Sequence, residues 1–161
     1  MKTHFLFPNQ FKIVGWLLFI PSLIISILTT FLEWNIDNYF NVKVFAIYND
    51  EFLKNNSSKF FQIIENSISD ELLTFCLIIG GILIGFSKLK NEDEMIGKIR
   101  YESLVWATYF NYTMLLLFTA FMYGIYFLNV LFYNTFTLIL FFIIRFHYKI
   151  YKLNKASNDE K

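Results

Sequence analysis

The sequence predicts an all-α membrane protein, a four-transmembrane-helix bundle with a small extracytoplasmic loop. Of its 161 residues, 56% are hydrophobic and 21% aromatic, and only 17% are charged. A soluble domain of this length seldom has such a composition. Four apolar stretches, each with at most one charge, are long enough or nearly long enough to cross a ~30 Å hydrocarbon layer. The basic residues are concentrated in the connections on one side of these stretches.

The predicted spans are residues 13–32, 72–87, 104–122 and 126–146. The first span is longer than the ~7–15 apolar residues of a signal peptide, and no small-residue cleavage site follows it. We therefore expect this helix to be retained in the protein. Trp16 and Trp34 bracket it, as aromatic anchors at the lipid interface do.

Residues 33–70 form the extracytoplasmic loop. Its segment Val42–Tyr48 is rich in β-branched and aromatic residues, which predicts a strand. The apolar spacing in Phe60–Ile64 favours a short helix. A loop of this size is too small to have a hydrophobic core of its own, so we expect one membrane domain over residues 1–161.

The second span contains Gly81 and Gly85, a spacing that permits close approach of two helices. We favour packing within the chain, and the alternative is the interface of a homo-oligomer. The cytoplasmic segment 88–103 predicts an amphipathic helix, capped by Asn91, that continues into the third span. Its charged residues Lys98, Arg100 and Glu102 form a candidate contact surface for a protein partner.

The last two spans predict a helical hairpin that turns at Tyr123–Gly124. Asn111 and Asn134 lie at nearly equal distances from this turn, so a hydrogen bond between them would join the two helices. The alternative is a polar point in a ligand or ion path. Polar residues at helical spacing also predict a polar face on each helix, either lining a cavity or packed dry with hydroxyls bonded to backbone carbonyls. This polar face includes Thr108, Tyr112, Asn129 and Tyr133.

The distribution of Lys and Arg predicts the orientation. Eleven of these residues lie in the N-terminal segment, in the 88–103 connection and from Arg145 to the C-terminus, and three lie in the loop of residues 33–70. The positive-inside rule therefore places both termini, including the tail 147–161, in the cytoplasm. We expect a multi-pass protein of the bacterial inner membrane. Arg145, at the inner end of the last span, is expected to reach lipid phosphates, with Glu102 as an alternative partner.

No catalytic motif is present, and we expect neither an enzyme nor a cofactor. Cys76 is the single cysteine and the two histidines lie at opposite ends of the chain, which argues against a metal site. The net charge of +1 argues against nucleic acid. The sequence therefore favours a non-enzymatic accessory or sensor protein that acts through protein contacts. The alternative is a small oligomeric channel or transporter that uses the polar face between the last two helices.

Several short motifs resemble those of small bacterial inner-membrane proteins with four helices and no assigned activity. These motifs are Leu6–Asn9, Lys98–Leu104 with Trp106–Ala107, Asn111–Tyr112, Tyr133–Asn134 and Phe141–Phe146. The resemblance covers most of the chain and implies a signalling or accessory role. It carries no chemistry to transfer to particular residues.

Overall fold

The computed structural model describes residues 5–32, 41–49 and 59–159. The described part contains four α-helices and a two-stranded sheet. In chain order they are α1 (Gln10–Leu32), β1 (Asn41–Asn49), β2 (Lys59–Ser67), α2 (Ser69–Phe86), α3 (Glu94–Phe121) and α4 (Ile125–Asp159). All four helices are long and apolar enough to cross a membrane, which confirms the predicted mainly helical fold.

The chain divides into two compact units. One unit comprises the described residues of Met1–Pro21 and Cys76–Lys161, and therefore contains α3, α4 and parts of α1 and α2. The other unit is Ser22–Phe75, which contains the rest of α1, both strands and the start of α2.

In the unit Ser22–Phe75, β1 and β2 form an antiparallel pair with Val44 opposite Ile64. The predicted strand is therefore confirmed, but the helix predicted at Phe60–Ile64 is wrong, because this segment belongs to β2. Lys43 and Glu65 lie opposite each other with a charged-group separation of 3.8 Å. A five-residue helix satisfies few of its own backbone groups, whereas a strand beside β1 gains a ladder of hydrogen bonds.

In the other unit, glycines allow α1 and α2 to approach through their backbones. A Cβ atom added at Gly80 would lie 2.9 Å from the Phe19 amide nitrogen and 3.0 Å from the Gly15 carbonyl oxygen. Gly81 and Gly85 instead face α4, where a Cβ atom on either would overlap Ile139 or Phe142. The two predicted packing glycines thus both serve contacts within the chain.

The hairpin of α3 and α4 turns at the predicted position. Gly124 has a φ of +76°, a conformation that glycine adopts without strain, and it lies between the ends of the two helices. The rings of Phe110 and Phe141 stack across the hairpin with centroids 4.4 Å apart. The first helical residue of α3 is Glu94, one position after its N-cap.

The N-cap of α3 is Asp93, so the prediction that Asn91 caps this helix is wrong. The Asp93 carboxylate accepts a 2.7 Å hydrogen bond from the Ile96 backbone N–H. Asn91 instead lies in a turn before the helix. This turn leaves Glu92, between the two residues, available for contacts with the interior.

A pair of glycine substitutions tests the close approach of α1 and α2. We expect Gly80→Ala to lower stability by about 1–3 kcal/mol, because backbone atoms around the new methyl group have no room to move. Gly97→Ala is the matched control, since apart from its chain neighbours and the backbone of its own helix no atom lies within 4 Å of its Cβ position. It should raise stability by up to ~1 kcal/mol through helix propensity. Thermal unfolding in detergent measures both, and a neutral Gly80→Ala would contradict the packing.

Candidate functional site

Arg100 of α3 is a buried charged side chain, only 6% exposed. It lies on the buried face of this helix, in a row at spacings of three and four residues. The other members of the row are Ile96, Ser103, Ala107 and Asn111. A guanidinium is always charged, so its burial requires that nearly all of its donors be satisfied.

Two of its bonds go to backbone carbonyls where α2 ends. The Arg100 Nε donates to the Gly85 carbonyl at 3.1 Å, and Nη2 donates to the Ser87 carbonyl at 3.3 Å. The last carbonyls of a helix have no partner within that helix and carry a partial negative charge. Arg100 therefore caps the C-terminus of α2 from a different helix.

Glu92 neutralises the buried charge. Its two carboxylate oxygens accept from Nη1 at 2.6 Å and from Nη2 at 3.2 Å, the forked geometry that suits arginine. The side chains of Arg100 and Glu92 are 8% and 14% exposed, respectively. Glu92 also accepts a 2.9 Å hydrogen bond from the Leu89 N–H.

Two opposing effects act on the pKa of Glu92. Burial favours the neutral acid, but the hydrogen bonds from Arg100 and Leu89, together with the charge of Arg100, favour the carboxylate. The second group of effects prevails, so the pKa of Glu92 lies below its ordinary value of 4.5. Glu92 therefore stays ionised at neutral pH, and the ion pair persists.

Two further contacts complete the site. The Arg100 guanidinium lies 4.9 Å from the centroid of the fully buried Phe146 ring on α4. The N-terminal segment joins the end of α2 through its backbone: the Phe7 N–H donates to the Phe86 carbonyl and the Lys88 N–H donates to the Phe7 carbonyl, both at 2.9 Å. We call the set of Phe7, Gly85, Ser87, Glu92, Arg100 and Phe146 the Arg100 cluster. It joins the N-terminal segment, the α2–α3 connection, α3 and α4.

The cluster changes the predicted partner surface. Lys98 and Glu102 are exposed, as such a surface requires, but Arg100 is buried by contacts within the chain and is not part of it. The sequence does contain a signal for this difference. Arg100 falls in the same helical row as Ile96 and Ala107, whereas Lys98 and Glu102 fall outside that row. No local pattern relates Glu92 to Arg100, so the sequence does not predict this partner.

Asn111 and Asn134 are both buried, at 9% and 8% exposure. Neither side-chain oxygen has a hydrogen-bond partner among the described residues, so the expected bond between the two amides is not formed. The hydroxyl oxygens of Ser87 and Ser103 are also buried without a hydrogen-bond partner among the described residues. Ser87 lies beside Arg100 in the structure, and Ser103 follows Arg100 along α3. Buried polar atoms of this kind are commonly satisfied by an internal water molecule.

The predicted polar face does not lie between α3 and α4. Tyr112 is 58% exposed and Tyr133 is 45% exposed, and Asn129 is exposed as well. Thr108 donates to the Leu104 carbonyl at 3.0 Å, the local bond expected for dry packing. These side chains therefore do not line a cavity within the hairpin.

The residues predicted at the lipid interface have contacts within the chain. The Arg145 guanidinium lies 4.9 Å from the Trp106 ring centroid, and it forms no ion pair with Glu102. Trp16 is half-buried, with its ring edge-on to His147 at 5.5 Å. Trp34 lies outside the described residues.

The chemistry of the Arg100 cluster is electrostatic. The Glu92 carboxylate and the Arg100 guanidinium satisfy each other. Within residues 5–32, 41–49 and 59–159 there is no group of three His, Cys, Asp or Glu side chains that could hold a metal ion. The cluster can therefore fix the relative positions of α2, α3 and α4.

No protein-family model matches the chain, and no curated protein or solved structure matches it either. Membership of the bacterial inner-membrane group that the sequence resembles thus stays a prediction. The role of the protein is therefore inferred from its own residues.

Substitutions at the ion pair test whether the cluster holds the fold. We expect Arg100→Met to lower stability by about 3–5 kcal/mol, because Glu92 and two carbonyls lose their partner. The double variant Arg100→Met/Glu92→Gln should recover part of this loss, since it leaves no uncompensated buried charge. Lys98→Met is the surface control and should change stability by less than ~0.5 kcal/mol. A double variant no more stable than Arg100→Met would contradict the pairing.

The dependence of stability on pH below neutrality provides a second test of the ion pair. Because the folded state lowers the pKa of Glu92, its contribution is present above about pH 4.5 and is lost as the pH falls through the lower folded value. The stability difference between the natural chain and Glu92→Gln should therefore be constant near neutral pH and shrink below about pH 4.5. Unfolding in detergent at a series of pH values measures it. A difference that does not depend on pH would show that folding does not lower the pKa of Glu92.

Proposed function

We propose that the chain is a multi-pass membrane protein that acts through contacts with other proteins, in an accessory or sensor role. We place it in a bacterial inner membrane with both termini in the cytoplasm. Four helices of sufficient length and hydropathy support membrane insertion, and the excess of basic residues on one side supports the orientation. The observation that carries the role is an exposed helix surface held in place by a buried ion pair.

This surface is the side of α3 opposite Arg100, over the first turns of the helix. We call it the α3 surface, and it consists of Met95, Lys98, Tyr101 and Glu102, all exposed. Tyr101 is 70% exposed and Met95 is 55% exposed. Exposed tyrosine and methionine are enriched in protein interfaces, and flanking charges of both signs supply specificity.

The Arg100 cluster prepares this surface for binding. Arg100 attaches the buried side of the same helical turns to α2, to the α2–α3 connection and to α4. A surface that is already ordered loses less conformational freedom when a partner binds. The same contacts also couple α3 to its neighbours, because a movement of α2 or α4 would be transmitted to α3 through Arg100. A sensor that reports a change in the membrane to a cytoplasmic partner needs such a connection.

An affinity purification from detergent-solubilised membranes tests the proposal. We expect one protein to co-purify in a fixed ratio with the natural chain, and Lys98→Glu/Tyr101→Ala to reduce its recovery at least tenfold, as the loss of a central contact does. Lys90→Glu is the matched control, because it makes the same charge change at an exposed residue of the α2–α3 connection. Recovery that is unchanged by the α3 substitutions would refute the α3 surface.

One observation favours the alternative, a small channel or transporter. The buried amide oxygens of Asn111 and Asn134 lack donors among the described residues, and they lie on helices proposed to cross the membrane. Solute or ion flux through vesicles containing the purified protein, abolished by Asn111→Leu, would decide for this function. Retention of the co-purified partner by Asn111→Leu, without flux in either protein, would decide for the accessory role.

A further inference from the structure

The C-terminal part of α4 continues well past the Arg100 cluster and exposes basic and aromatic side chains. After Phe146 the helix runs to Asp159, and Tyr148, Lys149, Tyr151 and Lys152 are all exposed. We call these four residues the basic end of α4. The tyrosines are 63% and 67% exposed. Neither lysine forms an ion pair with an acidic side chain in the described part of the chain.

The Arg100 cluster fixes the level of these residues relative to α2. Arg100 donates hydrogen bonds to the Gly85 and Ser87 carbonyls and also contacts the Phe146 ring. The end of α2 and Phe146 therefore both lie next to the same guanidinium. The apolar sequence of α2 ends at this level, and polar residues follow from Ser87 onward. At a rise of 1.5 Å per residue, Lys149 lies about 4–5 Å and Lys152 about 9 Å beyond Phe146 along the helix.

These distances match the polar layer of a bilayer. The headgroup region adds about 5–8 Å to each side of a hydrocarbon core of ~30 Å. If the end of α2 marks the core boundary, Lys149 lies among the headgroups and Lys152 lies at the outer edge of their layer, within reach of the phosphates through its long side chain. Tyr148 and Tyr151 lie where interfacial aromatic residues are enriched. Lys88, exposed and bonded through its backbone to Phe7, adds a basic residue at the same level.

The arrangement of side chains around the helix separates this face from the interior. The basic end of α4 lies on one broad face, while Ile150 and Leu153 of the same turns are half-buried. Two ammonium groups one turn apart suit the phosphate oxygens of adjacent lipids, and a tyrosine hydroxyl can donate to the same oxygens. The chemistry of this face is therefore that of a partner for a negatively charged phosphate surface.

We propose that the basic end of α4 binds the headgroups of anionic phospholipids on the cytoplasmic side of the membrane. This inference rests on the membrane insertion and orientation given under the proposed function. It goes beyond them by assigning lipid-class selectivity to Lys149 and Lys152. The selectivity resides in the α4 residues and not in the overall basic charge of the inner end.

The test measures lipid selectivity of the purified full-length protein. The protein is placed in nanodiscs of phosphatidylcholine containing a minor fraction of phosphatidylglycerol, and the phosphatidylglycerol retained after extraction into neutral detergent is quantified. Carbonate extraction of the source membranes is run alongside, so that failure of membrane insertion is distinguished from failure of lipid selectivity. Inorganic phosphate at the same concentration is added in a separate arm to distinguish a lipid headgroup from free phosphate.

We expect enrichment of phosphatidylglycerol around the natural chain and its loss in Lys149→Gln/Lys152→Gln, with a decrease in affinity of up to about 30-fold for two lysines. Lys149→Arg/Lys152→Arg should retain the enrichment. Lys90→Gln/Lys98→Gln is the matched control, because it removes the same charge from exposed residues outside α4. Equal losses in both double Gln variants, or competition by inorganic phosphate, would overturn the proposal.

Discussion

The burial of one guanidinium is the constraint on which the arrangement of this protein depends. A charge removed from water is costly unless it is paired and its donors are bonded. Arg100 meets this requirement with the forked carboxylate of Glu92, two carbonyls where α2 ends and the face of the Phe146 ring. These partners come from separate parts of the chain, so the charge can be satisfied only when the parts come together.

The glycines of α2 act with this ion pair. Gly80 brings the α2 backbone against α1, and Gly81 and Gly85 admit Ile139 and Phe142 of α4 on another side of the helix. The Gly85 carbonyl also accepts a hydrogen bond from Arg100. Close apolar packing and a polar anchor therefore meet within two turns of α2. This combination suits a bundle in lipid, where burial of apolar surface alone does little to hold one helix against another.

The exposed side chains follow from the same arrangement. Because Arg100 faces inward, the remaining side of α3 presents Lys98, Tyr101 and Glu102 outward. Because Phe146 is held at the end of α2, the continuation of α4 extends beyond it with Lys149 and Lys152 exposed. One buried contact thus orients a surface that fits a protein partner and another that fits anionic headgroups.

The sequence alone determined the features that depend on neighbouring residues. Hydropathy and helix length placed the four helices, a glycine between two apolar stretches placed the turn at Gly124, and β-branched residues placed β1. Tertiary structure decided the rest. The segment after Lys59 forms a strand because its backbone pairs with that of β1 through hydrogen bonds. Arg100 turned inward because a carboxylate eight residues earlier and two carbonyls at the end of another helix surround its position. Local sequence gives a residue its helix and its place on that helix, but the partners that satisfy a buried charge are brought close only by folding.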